Sequence, residues 1–374
     1  VSDARDMTPA LGTRGAPAAW RRAAEGAAVA LSQRDWRDAR WSDIFRRDSR
    51  YLSSAPPDPE RVAQANRRGR TRAPAAVQGP MMNAPVWTWE VPVYFWTGGM
   101  AAGASFVAMA CDLAGDEHSA RVARRVVVGA LVASPPLLIL DLGRPSRFYN
   151  MLRVVKPRSP MSMGSWCLTV FGALGTGAVG ADLLGRRRTA RALGAANAVV
   201  GGYLGSYTAV LLASTAVPLW ARSRLLLGPI FVATAVLTGA AATRLVLVAG
   251  GLPAGHPTRD ALGRVESGAM AAELLLSELN YHRLGPLASA LDEGAGAPWF
   301  RAAKWLARGG LALRLLGRRF GPWPHHAASG LFMAAALCFR FAWVRAGRSS
   351  AEDDEAVAHT ARREPPSSGV TPTV

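Results

Sequence analysis

The chain has 374 residues, half of them hydrophobic, and its mean hydropathy stays positive (+0.10) although it carries 44 Lys+Arg against 26 Asp+Glu. That combination argues against a soluble two-domain protein of this length and points to a membrane protein with basic flanks. The charge of +18 is almost all arginine, only Lys156 and Lys304 being lysine, so it reads as base composition and no nucleic-acid partner is expected. Cys111, Cys167 and Cys338 stand too far apart for a CxxC pair, a disulfide framework or a four-Cys cluster, so this chain is expected to hold no iron–sulfur cluster.

Residues 1–86 contain 15 Arg and nine acids among Pro, Gly and Ala, which predicts a basic, solvated and partly disordered arm. Within it Trp36, Trp41, Ile44, Phe45, Tyr51 and Leu52 lie among arginines. That spacing suits an amphipathic segment on a bilayer surface or a partner, or equally a short helix packed on the protein's own loops. Val1 reads as an alternative start codon, and the first apolar run begins too late for a signal peptide.

From residue 87 the composition changes. Charge-free apolar runs occupy Val91–Cys111, Val126–Leu140, Ser159–Ala181, Ala192–Ala221 and Leu225–Thr243, and all but the second reach the roughly 20 residues that cross a hydrocarbon core. The second needs its flanks, and Pro135-Pro136 predicts a kink in it. Small residues such as Gly98, Gly99, Gly103, Gly172, Gly175, Gly201 and Gly205 permit close helix packing where lipid supplies no hydrophobic drive. Three further segments, Val265–Tyr281, Ala302–Leu316 and Ala327–Val344, complete an expected count of about eight. The sixth and seventh carry charges, and a seventh segment lying on the surface would move the C-terminus to the other side. The expected architecture is an all-α polytopic bundle over residues 87–345, followed by a disordered tail over 346–374.

With alternating helix direction, the start of each odd span shares a face with the end of each even one. Trp87, Trp89, Glu90 and Tyr94, then Asp141, Arg144 and Arg147, then Ser159, Ser162, Ser165 and Trp166, then Tyr207 and Trp220 all fall on that face. A site is expected there, between the first four spans. Trp87, Trp220 and Trp343 read instead as interfacial belt residues. Asp141, ending an apolar helix, has either a functional role or a salt bridge to Arg144 or Arg147 that fixes the turn before Pro145. Glu266 and Glu273, seven apart, share one stripe that Asn280 extends. They either line a polar path through the bundle or form the acidic face of a surface helix paired to Arg259 and Arg264. All six histidines fall in loops or at helix ends, which argues against haem.

Three motifs carry a resemblance: Trp87-Thr-Trp-Glu-Val-Pro-Val-Tyr94 running on to Gly103, Leu140-Asp-Leu-Gly-Arg-Pro-Ser-Arg-Phe148, and Ser159-Pro-Met-Ser-Met-Gly-Ser-Trp166. Together they resemble the NrfD/polysulphide-reductase membrane-subunit family over about residues 87–245. The resemblance implies an eight-helix plasma-membrane subunit without haem or metal. It would anchor a four-cluster ferredoxin-like iron–sulfur subunit and a molybdopterin catalytic subunit, and exchange electrons with menaquinone. By the same resemblance Tyr207 matches a tyrosine that bonds a quinone carbonyl, and Asp141 an acid associated with proton movement. Tyr94 stands where some members place a histidine. With that assignment Tyr94 and Tyr207 hold the head group, Trp89 and Trp166 wall it, and Asp141 relays protons, because quinone reduction takes two electrons and two protons. The competing readings are a transporter or proton-translocating protein using Asp141, Glu266 and Glu273, and an anchor whose quinone site has decayed. A transporter should show related halves, and no internal repeat is evident. Fifteen Lys+Arg flank the spans on the N-terminal face against twelve on the other, which favours a cytoplasmic N-terminus. Likeness to polysulphide reductase favours the opposite orientation.

Overall fold

Long stretches without charge leave the backbone no hydrogen-bond partner but itself, and in the computed structural model each apolar run is helical. The structure describes residues 81–142, 148–153, 155–317 and 320–361, so the amphipathic segment expected in the arm lies outside the described residues. In chain order the helices are α1 (Glu90–Leu113), α2 (Glu117–Val132), α3 (Ser134–Asp141), α4 (Asn150–Arg153), α5 (Pro160–Leu183), α6 (Arg187–Ala213), α7 (Pro218–Arg222), α8 (Leu227–Ala249), α9 (Pro257–Leu284), α10 (Ser289–Asp292), α11 (Ala297–Leu316), α12 (Trp323–Glu352) and α13 (Asp354–Ala361). Among the described residues six spans are long and apolar enough to cross a membrane: α1, α2 with α3, α5, α6, α8 and α12.

Local chemistry sets several boundaries. The second span breaks at Ala133, where Pro135 and Pro136 fit the first turn of α3 but could not continue α2. Pro160 follows the cap Ser159, whose hydroxyl accepts from Ser162 N at 3.4 Å, and Pro257 opens α9 in the same way. The turns after α1, α5 and α8 each contain a glycine at positive φ, Gly115 (78°), Gly185 (70°) and Gly251 (83°), a conformation that costs other residues strain. The Asp116 carboxylate joins two of these turns, accepting from Ser119 N at 3.0 Å and from Thr258 Oγ1 at 2.5 Å.

α1 and α8 run parallel through the centre, with Phe95 beside Phe231 and Gly103 against Gly239. A methyl group on Gly103 would land on the Ala235 carbonyl, so the small residue is a condition of this crossing. The charged sixth and seventh segments also run the depth of the bundle. α9 lies beside the end of α8 at Glu266, 3.9 Å from Arg244, and beside the residues that lead into α8 at Asn280, which donates to Ser223 Oγ at 3.0 Å. α11 starts against Ala342 and Ala346 of α12 and finishes at Gly317 beside Pro324, forming an antiparallel pair with it. At 28 and 20 residues these two helices are long enough for a hydrocarbon core of about 30 Å. Six spans thus meet both length and apolarity, and α9 and α11 meet length alone.

Three expectations are corrected. Trp220 and Trp343 are not belt residues: both are buried. Trp87 stacks on Trp220 at 5.3 Å, and Trp220 Nε1 donates to the Trp343 carbonyl at 2.9 Å. Residues 346–361 are not a disordered tail, because α12 continues to Glu352 and α13 buries Ala356, Val357 and Ala358. Residues 81–86 of the arm are packed as well: Met82 and Ala84 lie on the core, and Met81 N donates to Asp354 Oδ1 at 2.8 Å.

Candidate functional site

The face on which α1 begins and α6 ends gathers two phenols. Tyr94, one turn into α1, and Tyr207, near the end of α6, are 2% and 4% exposed and lie within electrostatic range of each other and of Cys167 on α5. Neither hydroxyl is hydrogen-bonded to a described residue, and Trp166 Nε1 is buried without a partner among them. Buried polar groups are normally paired, since leaving one unmet costs about 1–3 kcal/mol. The Trp166 N–H is such an unmet buried group, and the two phenol hydroxyls make no hydrogen bond to a described residue.

The backbone makes room for this cluster. Gly164 faces the Tyr207 ring so closely that a methyl group there would overlap it. Tyr203 flanks Tyr207 with ring centroids 5.9 Å apart. The Tyr94 ring lies over Gly98, beside Ser134, and Ser134 Oγ is 3.2 Å from Thr97 Oγ1, so the break in the second span packs against the turn that carries Tyr94. From that break α3 runs on toward the same face and ends at Asp141. Asp141 is half-buried and engaged with a partner, while Arg144 and Arg147 lie outside the described residues. Trp89 is 53% exposed just before α1 and is less enclosed than a wall of the site would be.

Glu266 and Glu273 are not part of this cluster. They face the other half of the molecule, between α8, α9, α11 and α12, and with Asn280 they form a buried stripe on α9. That arrangement excludes the surface-helix reading with Arg259 and Arg264. Glu266 is fully buried and ion-paired to Arg314. It accepts from Ser329 Oγ at 2.7 Å, and Arg244 Nε stands 3.9 Å away, within ion-pair range but too far for a hydrogen bond. Arg259 instead donates to the Leu252 carbonyl at 2.8 Å. Glu273 accepts from Ser277 Oγ at 2.9 Å and lies within electrostatic range of Arg340, whose guanidinium stacks 3.5 Å from the centroid of Phe231. At the far end of the bundle, Arg124 bridges Asp182 (2.6 and 3.0 Å) and Asp112 (2.6 Å), tying α1, α2 and α5. Among the described residues no group of three or more His, Cys, Asp or Glu is placed to hold a metal ion.

This layout of spans, which brings Gly164 of the third motif against Tyr207 and Tyr94 of the first motif within electrostatic range of it, accords with the comparison to known families. The profile of the family described as "Polysulphide reductase, NrfD" matches residues 78–279, more than half of the chain. The chain belongs to the NrfD family. The match runs from residue 78, ahead of α1, to Glu278 and Leu279 in α9, so it takes in both glutamates and reaches past the motifs legible in the sequence. No curated protein matches the chain. Membership makes this NrfD chain a multi-pass membrane protein and, in outline, the quinone-reactive membrane subunit of a molybdoenzyme complex.

Sequence reading did not single out Gly164 or Cys167 as neighbours of Tyr207. Gly164 stood within a quoted motif, yet nothing in one sequence tells which glycine a ring from another helix will cover. The arginine partners of Glu266 were equally hidden, because Arg244 and Arg314 lie 22 and 48 residues from it.

Proposed function

We propose that this subunit exchanges electrons and protons with menaquinone at the Tyr94–Tyr207 cluster and anchors a four-cluster ferredoxin-like iron–sulfur subunit and a molybdopterin subunit on the same face. The observation that carries this reading is the pair of phenols on one face, Tyr94 and Tyr207, whose hydroxyls make no hydrogen bond to a described residue, with Gly164 leaving room for the Tyr207 ring. A quinone head group offers two carbonyl acceptors, so the donor set fits it, and when bound it takes up two electrons and two protons. Tyr207, held against Gly164, orients one acceptor. Tyr94 supplies the second donor in place of histidine, and Trp166 bounds the site. Asp141, at the end of α3, exchanges protons with water at the membrane face. The site face is assigned to the cytoplasmic side of the plasma membrane on the arginine distribution.

Tyr207→Phe removes one hydroxyl without changing shape, so it is expected to leave assembly with the iron–sulfur subunit intact and to lower menaquinol-dependent turnover in isolated membranes. Equal turnover at matched protein levels would remove Tyr207 from the site. Asp141→Asn is expected to slow turnover and alter its pH dependence, and Asp141→Glu to do so less. If both variants fail to accumulate, Asp141 is a structural salt-bridge residue.

The second reading is proton movement across the membrane through Glu266 and Glu273. It is favoured by their burial on one stripe that continues to Asn280. Glu273→Gln in vesicles that acidify during turnover tests it: unchanged acidification per quinol oxidised would exclude Glu273 from such a path.

A further inference from the structure

A cavity of about 320 Å³ lies between α8, α9, α11 and α12, away from the tyrosine cluster and sharing no residue with it. Its walls are apolar and aromatic, formed by Met270, Leu274, Phe300, Ala303, Ala336 and Phe339. Its size and lining are those of a small-molecule site. Among the polar residues that break this surface, Thr234, Ser277 and Tyr281 included, two are ionisable groups set back from its edge. Glu273, only 6% exposed, lines it from α9, and the hydrogen bond from Ser277 is the one its carboxyl makes among the described residues, leaving the second oxygen open. Lys304 lines it from α11, its ammonium 4.2 Å from the Phe300 centroid and 5.1 Å from that of Tyr281, with no carboxylate within ion-pair distance among the described residues. α11 packs chiefly on α12 and little on α9, so the cavity has its gap between α9 and α11, where Glu278 and Arg308 are exposed at its edge.

Ser277 and the nearby Arg340 guanidinium meet the Glu273 carboxyl only in part, since its second oxygen receives no hydrogen bond among the described residues, and a lysine held on aromatic faces at the same cavity offers donors with no carboxylate within ion-pair distance among them. Water could meet each group singly, but the Phe300 and Phe339 rings in the lining favour a flat ligand. We propose that this cavity binds the ring of a hydroxylated, quinol-like amphiphile from the bilayer. The hydroxyl donates to Glu273, an oxygen at the far edge accepts from Lys304, and the apolar tail leaves between α9 and α11. The assignment stands on this cavity alone and does not depend on the tyrosine cluster.

The test uses 2-heptyl-4-hydroxyquinoline N-oxide, a fluorescent molecule of this class, titrated into the purified full-length chain in detergent. Two probe molecules per chain are expected. Ala336→Phe, which fills the cavity, should leave one, and Glu273→Gln should weaken the same site about tenfold. Lys304→Met changes a half-buried residue and supplies a variant less demanding on folding, with an expected severalfold loss at that site. Gly164→Leu should remove only the other molecule. One probe per chain, lost with Gly164→Leu and indifferent to Ala336→Phe, would overturn the cavity site. One probe lost with Ala336→Phe alone would support it while sinking the tyrosine site. Displacement of the Ala336-sensitive probe by phosphatidylglycerol but not by a short-chain quinol would mean that the cavity takes a lipid tail, which also overturns the proposal.

Discussion

The two halves of the bundle treat buried polar groups in opposite ways. Around Glu266, the carboxylate, Arg314, Arg244 and Ser329 answer one another across α8, α9, α11 and α12, and the charges serve to hold helices together. Around Tyr94 and Tyr207 the two phenol hydroxyls make no hydrogen bond to a described residue. Both regions are deeply buried, so burial alone does not mark a site. What separates them is ion pairing: arginines hold the Glu266 carboxylate, although Glu266 Oε1, Arg244 Nε and Arg314 Nε make no hydrogen bond among the described residues, whereas no ion pair or hydrogen bond to a described residue holds either phenol. Glu273 lies between the two cases, with one oxygen engaged and a cavity beside it.

Breaking the closed region should have the largest effect. Glu266→Ala leaves Arg314 and Arg244 buried near each other without their counter-ion, and removing one partner of a buried pair typically costs about 3–5 kcal/mol. Thermal unfolding in detergent should show a large loss, and accumulation in the membrane should fall. Unchanged stability would mean that the pair contributes nothing and that Glu266 is free for another role.

Gly164→Leu comes next. It places a branched side chain where the Tyr207 ring lies, and overpacking of this kind costs about 1–3 kcal/mol while displacing the ring. Quinone binding should be lost although much of the protein still accumulates. Retained binding would show that Tyr207 does not need its position. Tyr207→Phe, which removes a single donor, should weaken quinone binding by about tenfold, with stability equal to wild type. A stability loss larger than the binding loss would turn the open phenol into a structural one.

The smallest expected effect lies outside both regions. Burial, the strongest single influence on Asp116, raises its pKa, yet the hydrogen bonds from Ser119 and Thr258 hold the carboxyl below the usual range. A depressed folded-state value means that this contribution is present above the unfolded pKa and fades as pH falls through the folded one. Asp116→Asn should therefore cost a little stability near neutrality, and the difference from wild type should shrink in acid. A difference that grows in acid would contradict the assignment.

The fold was legible because hydrocarbon imposes a simple rule: charge-free runs of sufficient length become helices, and Pro135-Pro136 marked the broken one. Helix alternation then placed Tyr94 and Tyr207 on one face from the order of the spans alone. Other features depended on contacts between distant residues. Trp220 lies against Gly347 and donates to the carbonyl of Trp343, 123 residues further along the chain, and no local pattern signals that docking. The same tryptophans read as belt residues because an aromatic at a span end looks alike whether it faces lipid or a neighbouring helix. The charged α9 and α11 looked insecure as spans because their charges answer one another or border a cavity, and neither property is visible along a single helix.

The most direct measurement is photolabelling of the intact membrane complex with an azido-naphthoquinone, followed by peptide mapping. Label is expected on the peptides carrying Gly164–Cys167 and Tyr203–Tyr207, competed by menaquinol and lost in Gly164→Leu. Labelling that spares both peptides, or that persists on them unchanged in Gly164→Leu, would contradict the assignment of the quinone site to the open tyrosine cluster.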